Sequence, residues 1–301
     1  MFAAVLSMFL ILYWLPTLIP NGTTIQDQKL LPNQSHLATQ EELVNYALSL
    51  INIDRQSSNT QNLTLSSTDS AQRHADDMLR NHYFSHWNTQ GQKPYVRYTL
   101  EGGKGAVEEN IAMQSDYIDV KSAIADLEWN MVNNDAASNW RHKETILDPF
   151  HNKVNIGIAY DNTNLYLVQD FENDYVEWIN LTVSNANVTM KGHITQPGLS
   201  IREVGIYLDE NITLTTQQLG TAPYNGSYNT GTFIGAAIPP NWQSTEGFTI
   251  TAKTWSQLYQ DISINFNLSP AFTRNGKGIY TLYLLSDSGK CLTTYSVSYL
   301  Q

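Results

Sequence analysis

Residues 71–98, AQRHADDMLRNHYFSHWNTQGQKPYVRY, decide how the chain is read. The first part is helical, because Ala71, Ala75, Met78 and Leu79 recur on one face and Thr68 or Asp69 stands where an N-cap belongs. His74 falls beside that apolar stripe, which predicts a core histidine with one nitrogen satisfied. From Phe84 to Asn110 the period is lost and glycine, proline and polar residues take over, so we read 84–110 as a long structured loop. His86 lies at its mouth, and loop residues are better functional candidates than residues on a packed face. His82 and His86 are four residues apart, but the intervening Tyr83-Phe84-Ser85 lacks the glutamate of a His-Glu-x-x-His metalloprotease. His82 is read as a surface residue.

On the N-terminal side, Thr39 and Glu42 have capping-box spacing, and Leu43, Ala47, Leu50 and Ile51 share a face, which predicts a helix ending near Arg55. On the C-terminal side, Val120, Ala123, Ile124, Leu127 and Met131 predict a further helix over 119–132. KVNIGIAY and NLYLVQDF then alternate at period two around Asp161-Asn162-Thr163-Asn164, the pattern of a β-hairpin. The predicted order is α, α, loop, α, β, β. We read Arg97 and Asp170 as partners in an ion pair or loop clamp.

These blocks resemble the CAP superfamily of cysteine-rich secretory proteins, venom allergens and plant pathogenesis-related proteins. The resemblance is carried by residues 71–98, by VEENIA, by NWRHKETILDPFHNKVNIGIAY and by LYLVQDF. It covers roughly residues 39–173 and is closest to the cysteine-poor bacterial and archaeal branch. It implies a three-layer α/β/α sandwich with a shallow cleft that, in many eukaryotic members, holds two histidines and two glutamates and binds a divalent metal. Carried over residue by residue, it places His86, Glu109 and His142 in that cleft. The second glutamate belongs three residues after Trp129, where this chain has Val132. Glu128, beside Trp129, is offset from Val132 by about 40° around the helix and substitutes only after a local shift. The tetrad becomes a triad, with zinc or another divalent cation as the implied metal and an open water position. The same three residues also fit a metal-free network in which Glu109 orients a histidine, or a structural role in which Glu109 braces the loop and His142 caps a turn.

Beyond Glu177 the texture changes to eight short β-prone runs with no helical pattern, which predicts an immunoglobulin-like antiparallel sandwich over 177–301. Charge changes at the same place: 21 acidic and 11 basic residues lie in 1–176, against 7 and 6 in 177–301. The fold class is thus α+β, a CAP-like domain at 39–176 followed by an all-β domain. Trp178, Trp242 and Trp255 are read as core, with sugar stacking the alternative. His193 and Cys291 have no partner legible in the sequence.

The net charge of −11 in 301 residues argues against a generic grip on nucleic acid. A single cysteine, Cys291, excludes an intramolecular disulfide and a cysteine-based zinc cluster. Residues 2–19 carry no charged side chain, which predicts a signal peptide or a single membrane anchor over 1–20, followed by a flexible stalk at 21–38. A buried structural helix is the remaining alternative. Eight N-x-S/T sequons, at Asn21, Asn33, Asn62, Asn180, Asn187, Asn211, Asn225 and Asn267, support export and glycosylation.

No serine-nucleophile elbow, phosphate loop or dinucleotide fingerprint is present. The leading expectation is an extracellular or surface-anchored, non-enzymatic module whose His86, Glu109 and His142 cleft takes a small apolar or metal-linked ligand or a cell-envelope component. The alternatives are a metal-dependent hydrolase of envelope peptides or glycans, with those residues catalytic, and a structural or adhesive surface protein.

Overall fold

The computed structural model describes residues 38–242 and 247–300. The N-terminal segment and nearly all of the stalk lie outside the described residues, as do the sequons at Asn21 and Asn33. Among the described residues no helix is long and apolar enough to cross a membrane.

Helix α1 (Gln40–Ser57) opens with the expected capping box between Thr39 and Glu42. A short strand β1 (Thr64–Leu65) precedes α2 (Ser70–Asn81), which buries Ala71, His74, Ala75 and Met78. The stretch read as one long loop contains two regular elements. Residues 94–100 form helix α3 (Pro94–Leu100), with Pro94 at its first turn, and β2 (Ala106–Ser115) begins before Glu109. Seven residues are too few to show a helical period, and the polar run Glu108-Glu109-Asn110 hides the strand. Helix α4 (Val120–Asn133) is capped by Asp119, and α5 (Arg141–Leu147) leads into the hairpin β3 (Lys153–Tyr160) and β4 (Asn164–Asn173).

These strands form a sheet in the order β1-β3-β4-β2, with β2 on the edge. Period two sorts its residues between two helical layers. Ile156, Ile158, Leu165, Leu167 and Phe171 meet α1, α4 and α5, while Ala159, Tyr166 and Val168 meet α2. Gly157 faces α2, and a Cβ there would lie 2.2 Å from the Ala71 carbonyl oxygen. We expect Gly157→Ala to lose about 3 kcal/mol, because backbone must move to admit it; urea denaturation measures this, and a loss below 1 kcal/mol (roughly the size of a tolerated swap) would contradict the packing.

The C-terminal half contains β5 (Val176–Ser184), β6 (Asn187–Ile194), β7 (Ile201–Asp209), β8 (Thr232–Ile238), β9 (Phe248–Thr251), β10 (Thr254–Leu258), β11 (Asp261–Asn267), β12 (Gly278–Ser286) and β13 (Cys291–Tyr299). They form two sheets, β10-β11-β6-β5 and β13-β12-β7-β8-β9. Val188, Met190, Ile264 and Phe266 of the first share a core with Val204, Ile206, Leu282 and Leu284 of the second. Three details differ from the sequence reading. FTITAKTW splits into β9 and β10, β8 and β9 pair in parallel, and two short helices occur, α6 (Thr216–Leu219) and α7 (Ser269–Asn275). Trp178 and Trp255 pack against the core, whereas Trp242 is exposed.

The described residues from 38 onward form one compact unit. Strand β13 lies against the chain before β2, where Thr294 N–H donates to the Gly105 carbonyl at 3.0 Å and Thr293 Oγ1 donates to the Lys104 carbonyl at 3.0 Å. Asp209 at the end of β7 accepts from Lys93 Nζ and from the Tyr95 hydroxyl, each at 2.6 Å. The sandwich is therefore packed against the edge of the α/β/α sheet that carries Glu109.

Candidate functional site

Helix α2 stops at His82, whose left-handed φ of 53° turns the chain toward Ser85 and His86. The buried His74 anchors the turn, its Nε2 lying 2.8 Å from the Ser85 carbonyl. Burial, reinforced by the nearby Arg97 charge, pulls His74 down to about 3, so it is a neutral core residue as expected. Beyond it, Arg97 of α3 holds the loop from within. Its Nη1 donates to the carbonyls of His86 at 2.6 Å and Gln92 at 2.9 Å, and its Nη2 donates to Glu109 Oε2 at 2.5 Å. Arg97 thus pairs with Glu109, not with Asp170 as the sequence suggested. Asp170 faces α2 and accepts from Ser70 Oγ at 2.5 Å.

The other Glu109 oxygen, Oε1, lies 2.8 Å from His86 Nδ1. Burial alone would raise the Glu109 carboxyl, but Arg97, with His74 and His86, outweighs it and holds the group down to about 2. A carboxylate accepts, so Nδ1 of His86 donates to it, which leaves Nε2 for another partner. Nε2 has no hydrogen-bond partner among the described residues.

His142 repeats the arrangement from the opposite wall. Asp135 receives its backbone N–H at 3.0 Å, and its Oδ1 lies 2.7 Å from His142 Nδ1. Burial would raise Asp135, but hydrogen bonds from Ser138 and His142 bring it below the usual carboxylate range. Asn110 of β2 donates to the His142 carbonyl at 3.0 Å and ties this wall to the strand that carries Glu109. His86, Glu109 and His142 line one cavity of about 830 Å³ that opens along the β2 edge. The structure joins His86 to Glu109 directly and gives His142 its own carboxylate. Val132 is core, and Glu128 is buried against Gln169, away from the cavity.

The C-terminal half supplies the remaining wall. Residues 225–228 reach into the cavity from the segment between β7 and β8. The Tyr228 hydroxyl accepts from the Glu109 backbone N–H at 3.0 Å, and its ring centroid stands 4.9 Å from that of His86. Ser85 Oγ donates to the Tyr224 carbonyl at 2.6 Å, and Leu214 and Leu219 pack with α2. Cys291 also lines the cavity, but burial pushes its thiol up to about 12, so it is not a ready nucleophile. His193, outside the cavity, meets Asp261 on the surface at 2.8 Å.

Three contributors were not singled out by sequence reasoning in these roles. Arg97 was assigned to the wrong partner. Asp135 carries a local signal, an acidic residue just before a short helix, whereas Tyr228 carries none because its role depends on the sandwich docking. Among the described residues, no group of three or more His, Cys, Asp or Glu side chains is placed to hold a metal ion. The donor set supplies two imidazole nitrogens, and both Glu109 oxygens are already bonded.

Residues 48–171 match the model of the cysteine-rich secretory protein family, CAP. Among solved structures the chain is similar to the crystal structure of NaASP2 with Zn2+, at 13% identity and a TM-score of 0.35, over 46% of this chain and 83% of that one. It is also similar to the CAP domain of Enterococcal PrgA, at 13% identity and a TM-score of 0.33, over 44% of this chain and 62% of that one. No curated protein matches the chain.

Proposed function

We propose, from the premise that residues 48–171 form a CAP domain, that this protein is an extracellular, non-enzymatic binding module whose cleft takes a small amphiphilic ligand. The observation that carries the reading is the saturation of Glu109, whose two oxygens are taken by His86 and Arg97. A carboxylate so engaged is a poor base and a poor metal ligand, but a good rigid support for an imidazole. The polar end of the ligand would donate to Nε2 of His86 or His142. Its apolar part would lie against Val107, Ile111, Tyr95 and Tyr283, which line the same cavity. Exposed sequons at Asn62, Asn180, Asn187, Asn211 and Asn225 accord with export and glycosylation.

A long-chain alcohol, decanol, is a suitable probe. Calorimetry should show binding to the wild type and about tenfold weaker binding to His86→Ala/His142→Ala, the loss of roughly one good hydrogen bond. Equal affinity in both proteins, or no binding, would refute the reading.

One observation favours a second reading, a metal-dependent hydrolase of envelope peptides or glycans: two carboxylate-anchored imidazoles face one cavity. Zinc or another divalent cation would be held by the Nε2 atoms of His86 and His142 and would supply Lewis acidity, with Glu109 orienting His86. Turnover of an envelope fraction that requires added zinc and vanishes in His86→Ala would establish this alternative over the first.

A further inference from the structure

We propose that Trp140 forms a second subsite beside the cleft, a stacking platform for a neutral sugar ring. Asn139 and Trp140 both have positive φ, 57° and 63°, in the left-handed region that bulky side chains rarely adopt. The conformation is fixed from behind, by Asn139 N–H to the Ala136 carbonyl at 3.1 Å and Trp140 N–H to the Asp135 carbonyl at 3.0 Å. Asparagine tolerates this geometry, whereas tryptophan gains nothing from it by burial, because its side chain belongs to no core cluster and the residue is 41% exposed. Strain that presents a large aromatic surface to solvent points to a use for that surface.

The surroundings narrow the class of ligand. Trp140 borders a hollow of about 710 Å³ whose rim carries Lys143, Glu144, Asp148 and Lys290. Two ammonium and two carboxylate groups cancel, and Lys290 Nζ lies 3.5 Å from Asp148 Oδ2. A charged ligand therefore finds no net attraction. A purely apolar one would cover four polar groups without replacing their hydrogen bonds to water. Lys143 Nζ stands over the indole ring, 5.4 Å from its centroid, a cation–π contact that a sugar stacking on that face would displace while keeping the ammonium as a donor, with the carboxylates as acceptors around it. A flat C–H face to stack on indole, with hydroxyls that both donate and accept at the edges, is the chemistry of a neutral pyranose. Glu144 and Asp148 also line the cleft, so a chain of sugars could run from one hollow to the other.

The inference goes beyond the cleft reading, since it uses neither His86 nor Glu109, and the test keeps the two apart. Neutral tetrasaccharides of glucose, mannose, galactose and N-acetylglucosamine are titrated at millimolar concentration into the full chain, with saturation-transfer NMR and calorimetry as readouts. At least one should bind. Trp140→Gly should weaken it about tenfold or more and still bind decanol as the wild type does, and Trp140→Tyr, which keeps a ring, should stay close to wild type. Glycine also suits the left-handed backbone, so a thermal melt no lower than wild type shows that the loss is not unfolding. Binding of none of the four sugars, or unchanged binding in Trp140→Gly, would overturn the proposal.

Discussion

Arg97→Met should destabilise the protein by about 3–5 kcal/mol at neutral pH, the usual consequence of leaving one member of a buried ion pair uncompensated. Glu109 is 5% exposed and would keep His86 as its only charged or polar side-chain partner, while the carbonyls of His86 and Gln92 would lose a donor. For a chain of this size the melting temperature should fall by roughly 10 °C. Arg97→Met/Glu109→Gln should recover part of the loss, since the stranded charge is gone. Acid titration gives an independent reading. The folded Glu109 carboxyl is depressed from 4.5 to about 2, so its stabilisation is present above about pH 4.5 and is lost as pH falls toward 2. That limb amounts to about 3 kcal/mol in the wild type and should shrink in Arg97→Met. A single-variant loss below about 1 kcal/mol, with no recovery in the double variant, would show that Arg97 is not the counter-ion the geometry makes it.

What could be read from sequence follows the range of each interaction. α1, α4 and the β3–β4 hairpin announced themselves through local signals: the Thr39–Glu42 box, the Val120–Met131 stripe and the alternation about Asp161. Their burial patterns then made the layers inevitable, since Ile156 and Ile158 can serve only one face of the sheet while Gly157 serves the other. α3 and β2 were hidden because their stability comes from outside themselves. α3 is held by Tyr95 to Asp209 and by packing on β13, and β2 places buried Glu109 and Asn110 in a strand that looks polar in isolation. The family resemblance named His86, Glu109 and His142, which the structure sets around one cavity, but not Asp135, the carboxylate that His142 meets. Pairing Arg97 with Asp170 was reasonable from charge alone. Strand register decides otherwise, because Glu109 and Asp170 are direct neighbours on β2 and β4, and the guanidinium reaches the former. Tyr228 lay furthest from view, for no local pattern reports that a loop of one β-sheet half will close the cleft of the other.

Glu128→Gln should make the protein more stable at pH 7–8, the opposite of what removing a buried hydrogen-bonding acid suggests. Glu128 is 2% exposed, and its Oε2 accepts from Gln169 Nε2 at 2.6 Å. Its Oε1 and Gln169 Oε1 are both buried without a donor. Burial pushes the carboxyl up to about 8, only partly offset by the Gln169 hydrogen bond. A proton on Glu128 supplies one donor where two acceptors lack any, so the neutral acid is the form that fits this site. Because the folded value lies above the unfolded value of 4.5, stability from this group is complete below about pH 4.5 and declines as pH rises toward 8. The cost at pH 7 is about 3 kcal/mol. A glutamine has the same shape, keeps an acceptor for Gln169 Nε2, brings its own donor and does not titrate. The variant should therefore gain about 4 kcal/mol at pH 8 and nothing at pH 4. Glu109 and Glu128 then give opposite slopes that meet near pH 4.5. Urea denaturation of both proteins from pH 4 to 8 measures the difference directly. Parallel stability curves across that range would mean that Glu128 is ionised in the fold, with its charge met by a group other than Gln169.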